Sequence, residues 1–115
     1  MARALALSET LNHIMETLGI TSHELAGAVG ASDKTVARWL ADETYPQHGS
    51  RDKLAELVAL TNLLVDSWVD NESLQLWFHG ENRYLGGVRP VEALASGRID
   101  RVDAAMEIIL SGIFT

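Results

Sequence analysis

The stretch TSHELAGAVGASDKTVARWL, residues 21–40, decides the fold of this 115-residue chain. Thr21 followed three positions later by Glu24 is a capping box, in which a hydroxyl and a carboxylate satisfy free backbone N–H groups at the start of a helix. Gly30 is placed to end that helix, and Ser32 can cap the next one. The stretch therefore predicts two short helices joined by a tight turn.

Small and apolar residues recur inside this stretch, with Ala26, Gly30, Val36 and Trp39 at relative positions 1, 5, 11 and 14. Such spacing suits two helices that cross closely, and it resembles the helix-turn-helix of Xre/Cro-type repressors. In those repressors the second helix enters the major groove and the first contacts phosphates. We therefore predict DNA binding by Thr21, Ser32, Lys34, Thr35 and Arg38.

Trp39 is expected in the core instead of on the DNA, because its position faces the crossing of the two helices. Asp33 would repel phosphates unless it accepts a hydrogen bond from a cytosine amino group. A helical hairpin used only for packing or dimerisation is the alternative interpretation of this stretch.

Apolar residues spaced three and four apart predict helices along the rest of the chain. A first helix ends at Gly19, and a long helix starts at Ser50. The apolar stripe of that long helix consists of Leu54, Leu57, Val58, Thr61, Leu64, Val65 and Trp68. No stretch shows sustained alternation, so no strand is predicted.

Beyond Asp70 the helices become short and are separated by glycines. Residues 79–87 form a loop whose glycines permit positive φ. Pro90 can occupy the first turn of a helix that ends at Gly97, and Asp100 can cap a final helix that ends at Gly112. The predicted fold is all-α, with a Cro-like helix-turn-helix bundle in residues 1–66, including the long connecting helix, and a small helical domain in residues 67–115.

Composition narrows the classes of function. The net charge is −7, divided as −2 over residues 1–53 and −5 over residues 54–115, so we expect modest, salt-sensitive affinity for DNA and a protein partner for the acidic half. With no cysteine, disulfides and thiolate chemistry are excluded. No apolar run reaches the roughly 20 residues needed to span a bilayer, and we expect a cytoplasmic protein without membrane contact.

The C-terminal half carries a second resemblance. Trp77-Phe78 is followed by Asn82-Arg83-Tyr84-Leu85-Gly86-Gly87, then by Arg89-Pro90-Val91-Glu92-Ala93-Leu94, Gly97 and a helix that contains Gly112. This order, behind a Cro-like unit, resembles the toxin-binding domain of the MbcA/ParS/Xre family of antitoxins. The predicted toxin-binding residues are Trp77, Asn82, Arg83, Leu85, Arg89, Gly112, Ile113, Phe114 and Thr115.

The resemblance implies an antitoxin of a type II toxin-antitoxin system. Such an antitoxin binds a RES-domain toxin, an enzyme that consumes NAD, and covers its active site. The resemblance also implies repression of the antitoxin's own operon with the toxin as co-repressor, and a homodimer within a larger toxin-antitoxin complex. The alternative function is a stand-alone Xre-type repressor whose C-terminal half serves for oligomerisation.

The end of the sequence, Ile113-Phe114-Thr115, is apolar where a fraying terminus is ordinarily polar. Two interpretations stay open at this point. The residues after Gly112 either insert into a groove of the partner or fold back onto the core of their own chain.

Nothing in the sequence predicts catalysis. The four histidines are dispersed and lack the paired spacing of a metal site, so no metal is expected. Gly86-Gly87 lacks the residues that would complete a phosphate-binding loop. We therefore expect neither enzymatic activity nor a cofactor.

Overall fold

The computed structural model describes residues 6–113, and within that range every regular element is a helix. The elements are α1 (Leu7–Leu18), α2 (Ser22–Val29), α3 (Asp33–Leu40), α4 (His48–Ser67), α5 (Asn71–Phe78), a single 3-10 turn (Arg83–Leu85), α6 (Pro90–Ala95) and α7 (Ile99–Ile113). The all-α fold class is confirmed.

The local signals of residues 21–40 produce the predicted structure. Thr21 Oγ1 accepts a hydrogen bond from the Glu24 N–H at 3.1 Å, and Glu24 Oε1 accepts one from the Thr21 N–H at 2.9 Å. Gly30 ends α2 in the left-handed region with φ of 70°. Ser32 Oγ accepts a hydrogen bond from the Thr35 N–H at 3.1 Å and so caps α3. The capping box, the turn and the second cap are all confirmed.

The start of α1 is capped from a distant part of the chain. Ala6 precedes the helix and supplies no side-chain cap. Asp42, just after α3, takes that role, because its carboxylate accepts hydrogen bonds from the Ser8 N–H at 3.1 Å and from Ser8 Oγ at 2.6 Å. Asp42 adopts a positive φ of 57° there. The contact ties the chain after α3 to the beginning of α1.

The long helix differs from its prediction in three respects. It begins at His48 instead of Ser50, and it ends before Trp68. Leu60, which the predicted stripe leaves out, is buried, whereas Val65, which the stripe includes, is 46% exposed. Leu60 is buried because α4 contacts α1, α2, α5 and α7, so its buried face is wider than the predicted stripe.

Side chains of α5 satisfy the carbonyl groups left free at the end of α1. Asn71 Nδ2 and Gln75 Nε2 donate hydrogen bonds to the Thr17 carbonyl oxygen, at 3.0 and 2.5 Å. The ring of His79 lies with Nε2 2.9 Å from the Leu18 carbonyl oxygen. These contacts attach the second half of the chain to the first, because the last carbonyls of a helix lack partners within the helix.

The second attachment is the close packing of α6 on α2. A Cβ atom added at Gly27 would lie 2.0 Å from the carbonyl oxygen of Ala95 and 3.1 Å from its carbonyl carbon. Any side chain at position 27 would therefore collide with the backbone of α6. Glycine, which is otherwise unfavourable inside a helix, is required here by the approach of the two backbones.

Two details of α7 correct the sequence prediction. The helix begins at Ile99, so Asp100 lies in the first turn instead of capping it, and its carboxylate pairs with Arg98 at 2.9 Å. Gly112 does not end the helix, which continues through Ile113. A glycine inside a helix costs only about 1 kcal/mol relative to alanine, so it does not have to terminate one.

Neither half of the chain stands apart in the structure, since α5 contacts α1, α6 contacts α2, and α7 contacts α4. The division at residues 66 and 67 stays a prediction. Of the helices in residues 6–113, none combines the length and the apolar character needed to cross a membrane.

The packing of α6 on α2 generates the first prediction. Gly27→Ala should lower the free energy of unfolding by about 1–3 kcal/mol, because the two backbones must separate to admit a methyl group. Gly49→Ala is the matched control, since position 49 also lies in a helix but has open space around it. That control should be neutral or stabilising by up to about 1 kcal/mol. Urea denaturation measures both, and equal stabilities of the two variants would contradict the packing argument.

Candidate functional site

The α2–α3 unit (residues 22–40) is fixed by a buried apolar face. Leu25, Ala26 and Val29 of α2 pack with Val36 and Trp39 of α3, and all five are at most 2% exposed. Trp39 belongs to the core as predicted. The opposite face of α3 is thereby held in one orientation toward solvent, which a helix that reads DNA requires.

The five predicted DNA-binding residues divide into two kinds. Lys34 and Arg38 are exposed on α3. Within residues 6–113 no ion pair holds either of them. Thr21 and Ser32 are exposed as well, but their hydroxyl groups already cap helices. Thr35 is half-buried, and its hydroxyl accepts a hydrogen bond from Ser32 Oγ at 2.9 Å. The free cationic groups of this face are therefore the lysine and the arginine.

Asp33 is joined to His23 across the turn. His23 Nδ1 lies 2.9 and 3.0 Å from the two carboxylate oxygens of Asp33. The side chains are 83% and 66% exposed. Sequence reasoning did not predict this contact, because the two residues are ten positions apart and only the geometry of the turn brings them together.

The loop between α5 and α6 is shaped by two of the predicted toxin-binding residues. Asn82 is buried, and its Oδ1 accepts a hydrogen bond from the Tyr84 N–H at 2.9 Å. Its backbone carbonyl accepts another from the Gly87 N–H at 2.9 Å. Leu85 is 3% exposed and anchors the 3-10 turn in the core. The side chains of Asn82 and Leu85 thus lie inside the fold and determine the course of the loop.

Three other predicted toxin-binding residues lie nearer the surface. Trp77 is half-buried and packs against Trp68 with 5.8 Å between the ring centroids. Arg83, in the 3-10 turn, and Arg89, at the end of the loop, are both exposed. Arg83 lies over the ring of Tyr84, 5.1 Å from its centroid, and donates a hydrogen bond to the Tyr84 hydroxyl at 3.1 Å.

Arg89 forms an ion pair with Glu92, which lies one helical turn further along the chain. Its Nε donates a hydrogen bond to Glu92 Oε1 at 2.5 Å. This hydrogen bond lowers the pKa of the Glu92 carboxyl below its ordinary value, and it raises the pKa of Arg89. The positive charge of Arg89 is therefore partly compensated by Glu92, whereas Arg83 pairs with the uncharged hydroxyl of Tyr84.

Exposed apolar and aromatic side chains accompany these arginines. Tyr84 is 46% exposed and Val88 37% exposed. Sequence reasoning missed both as surface residues, although their place between two arginines in a glycine-containing loop was a usable signal. The loop thus presents cationic, aromatic and apolar groups together, a combination typical of protein interfaces.

The predicted tail is only partly described. Gly112 is exposed and lies in α7, as does the backbone of Ile113. Phe114 and Thr115 lie outside the described residues. Among residues 6–113, no group of three or more histidine, aspartate or glutamate side chains could hold a metal ion.

Known proteins resemble this chain along nearly its whole length. Over 108 residues it is 30% identical to MbcA, the mycobacterial cidal antitoxin of Mycobacterium bovis, a match that covers 94% of this chain and 95% of that protein. MbcA of Mycobacterium tuberculosis matches with the same identity and coverage. No protein-family model matches the sequence.

The fold also matches a solved structure. A chain from the crystal structure of the M. tuberculosis MbcT-MbcA toxin-antitoxin complex aligns with a TM-score of 0.66 and 28% sequence identity. The alignment covers 97% of this chain and 100% of that one.

The Arg89–Glu92 pair generates the second prediction. In Arg89→Ala the pKa of Glu92 should rise toward its ordinary value, because the carboxylate loses its hydrogen-bond donor. A lowered pKa adds stability above the ordinary value that is lost as pH falls through the folded value, so the wild type should lose more stability than Arg89→Ala between about pH 5 and pH 3. NMR titration of the Glu92 carboxyl measures the shift. Arg83→Ala, the control, should leave the pKa of Glu92 unchanged.

Proposed function

Because the chain belongs to the mycobacterial cidal antitoxin family, we propose that it neutralises a cognate toxin of the MbcT type by binding it directly. The observation that carries this proposal is the match to a chain of the MbcT-MbcA complex over 97% of the present chain, with both halves aligned. Since the match is not limited to the α2–α3 unit, the C-terminal half is accounted for by the same relationship.

We further propose that the toxin is a RES-domain enzyme that consumes NAD and that the antitoxin covers its active site. This finer statement rests on the resemblance of residues 77–94. A pocket that binds a dinucleotide needs cationic groups for the phosphates and apolar walls for the rings. The acidic C-terminal half, with a net charge of −5 over residues 54–115, has the charge complementary to such a pocket.

The loop between α5 and α6 forms part of the proposed toxin interface. Arg83, Tyr84, Val88 and Arg89 are among its exposed side chains, and the buried Asn82 and Leu85 hold the loop in shape. In this arrangement the exposed residues contact the toxin, and the two buried ones act by positioning them. A substitution at Asn82 would thus weaken toxin binding without removing a contact.

Residues after Ser111 form the proposed inhibitory segment. Because α7 continues through Ile113, the helix itself carries the chain toward the partner, and no release at Gly112 is needed. An apolar Ile-Phe pair could contribute roughly 1.5–3 kcal/mol per side chain when buried in a partner's groove.

Two truncated proteins test whether the segment after Ser111 is inhibitory. Removal of residues 114–115 leaves every described residue of α7 in place, whereas removal of residues 112–115 also shortens the helix. If the segment is inhibitory, both truncated proteins should keep a melting temperature near that of the full chain and fail to rescue cells that express the toxin. If the segment completes the antitoxin's own core, the truncated proteins should melt at a lower temperature than the full chain. Rescue by both truncated proteins would show that the segment contributes nothing to neutralisation.

We also propose that the helix-turn-helix represses the antitoxin's own operon, as a dimer on an inverted repeat with the toxin as co-repressor. The exposed, unpaired Lys34 and Arg38 on a firmly packed α3 favour this role. A stand-alone repressor is the competing candidate, and co-purification with the product of the neighbouring reading frame separates the two. A repressor without a toxin would purify alone.

Arg38 generates the fourth prediction. Arg38→Ala should weaken operator binding by about 1–3 kcal/mol if the side chain reads a base, and by a uniform amount across sequences if it contacts phosphate. Arg51→Ala is the control, because Arg51 is also exposed but lies on α4. Gel shifts at low salt measure both variants. Absence of any sequence preference, with and without the toxin, would rule out repression by this route.

A further inference from the structure

The proposed DNA-reading helix α3 begins with an acidic residue, at the end expected to approach DNA. Its charged residues are Asp33, Lys34 and Arg38. A carboxylate at this place repels phosphates, and the effect is largest within a few ångströms. The hydrogen bond from His23 is therefore a feature of the proposed DNA interface as well as of the fold.

The contact between His23 and Asp33 is not needed to cap either helix. Thr21 and Glu24 already cap α2, and Ser32 already caps α3. Because both side chains are largely exposed, at 83% and 66%, the pair adds little to stability. What it determines is where the Asp33 carboxylate lies, since Nδ1 of His23 meets both of its oxygens.

Histidine is the side chain whose charge ordinarily changes between pH 5 and 8. With His23 neutral, the group formed by His23, Asp33, Lys34 and Arg38 carries a net charge of +1, and with His23 protonated it carries +2. Protonation also turns the contact with Asp33 from a hydrogen bond into an ion pair.

The surroundings leave Asp33 as the charged partner of His23. The cleft of about 430 Å³ that borders both residues is otherwise lined by Ala26, Gly27, Ala31, Ser32 and Ala95, which are uncharged. None of its lining residues comes from α4. The other charged groups on α2 and at the start of α6 are Glu24, held by its capping box, and the Arg89–Glu92 pair.

We propose that His23 is a positioning residue for DNA binding, which holds the Asp33 carboxylate and, by its own protonation, sets how strongly α3 attracts the phosphates. Affinity for DNA accordingly rises as pH falls through the range in which histidine gains a proton. This inference rests on the proposed binding of operator DNA by α3.

The experiment uses the full chain and a fluorescent duplex that carries the sequence upstream of its gene, with a scrambled duplex for comparison. Anisotropy is recorded at constant ionic strength from about pH 8 to pH 6. The wild-type Kd should fall on the order of threefold to tenfold over this range. His23→Gln should remove the pH dependence. Asp33→Asn should bind at the upper pH as tightly as the wild type binds at the lower one.

His13→Gln is the matched control, because His13 is an exposed histidine on α1 and should leave the wild-type pH profile intact. A pH profile kept by His23→Gln would overturn the inference, as would an Asp33→Asn protein that binds no tighter than the wild type at pH 8. Sequence-selective binding without pH dependence would overturn this inference and leave the proposed DNA binding in place. Loss of sequence preference at every pH would overturn the proposed DNA binding together with it.

Discussion

The backbone contact between α2 and α6 at Gly27 is the constraint on which the arrangement of the two halves depends. With a glycine at this position, the carbonyl oxygen of Ala95 occupies the space that any Cβ would fill. Gly97 extends the contact, since a Cβ there would lie 3.4 Å from the Gly27 carbonyl oxygen. Because no side chain separates the two backbones, α6 has little freedom to shift on α2. The helix that positions the proposed DNA-reading helix is therefore also the platform for the C-terminal half.

The residues of the C-terminal motif serve two physical purposes that a sequence pattern does not distinguish. Asn82 and Leu85 are buried and determine the path of the loop, whereas Arg83 and Arg89 lie at its surface. A motif recognised by resemblance contains both kinds, because a binding loop needs a fixed shape as much as it needs contacting groups. Burial is the observation that assigns each residue to its purpose.

Local chemistry was predictable from the sequence, and contacts between distant segments were not. The capping box at Thr21, the turn at Gly30 and the cap at Ser32 depend on residues at most four positions apart, and each was predicted correctly. The capping of α1 by Asp42 joins residues 34 positions apart, and no local pattern announces it. The predicted end of the last helix, at Gly112, was wrong for a related reason. Glycine favours a helix stop only when the chain needs to turn, and the sequence does not reveal that need.

Local charge, and not the total, decides whether an acidic protein can hold DNA. The −7 of the whole chain is concentrated in residues 54–115, while α3 presents two unpaired cations. Charges separated by more than a Debye length, about 8 Å at physiological salt, are largely screened, so the acidic half weakens DNA binding only slightly at that salt and more strongly at low salt. A toxin bound to that half, as proposed, would cover part of this negative surface. The proposed co-repression by the toxin should therefore strengthen DNA binding most at low ionic strength, where the acidic half of the antitoxin repels DNA most.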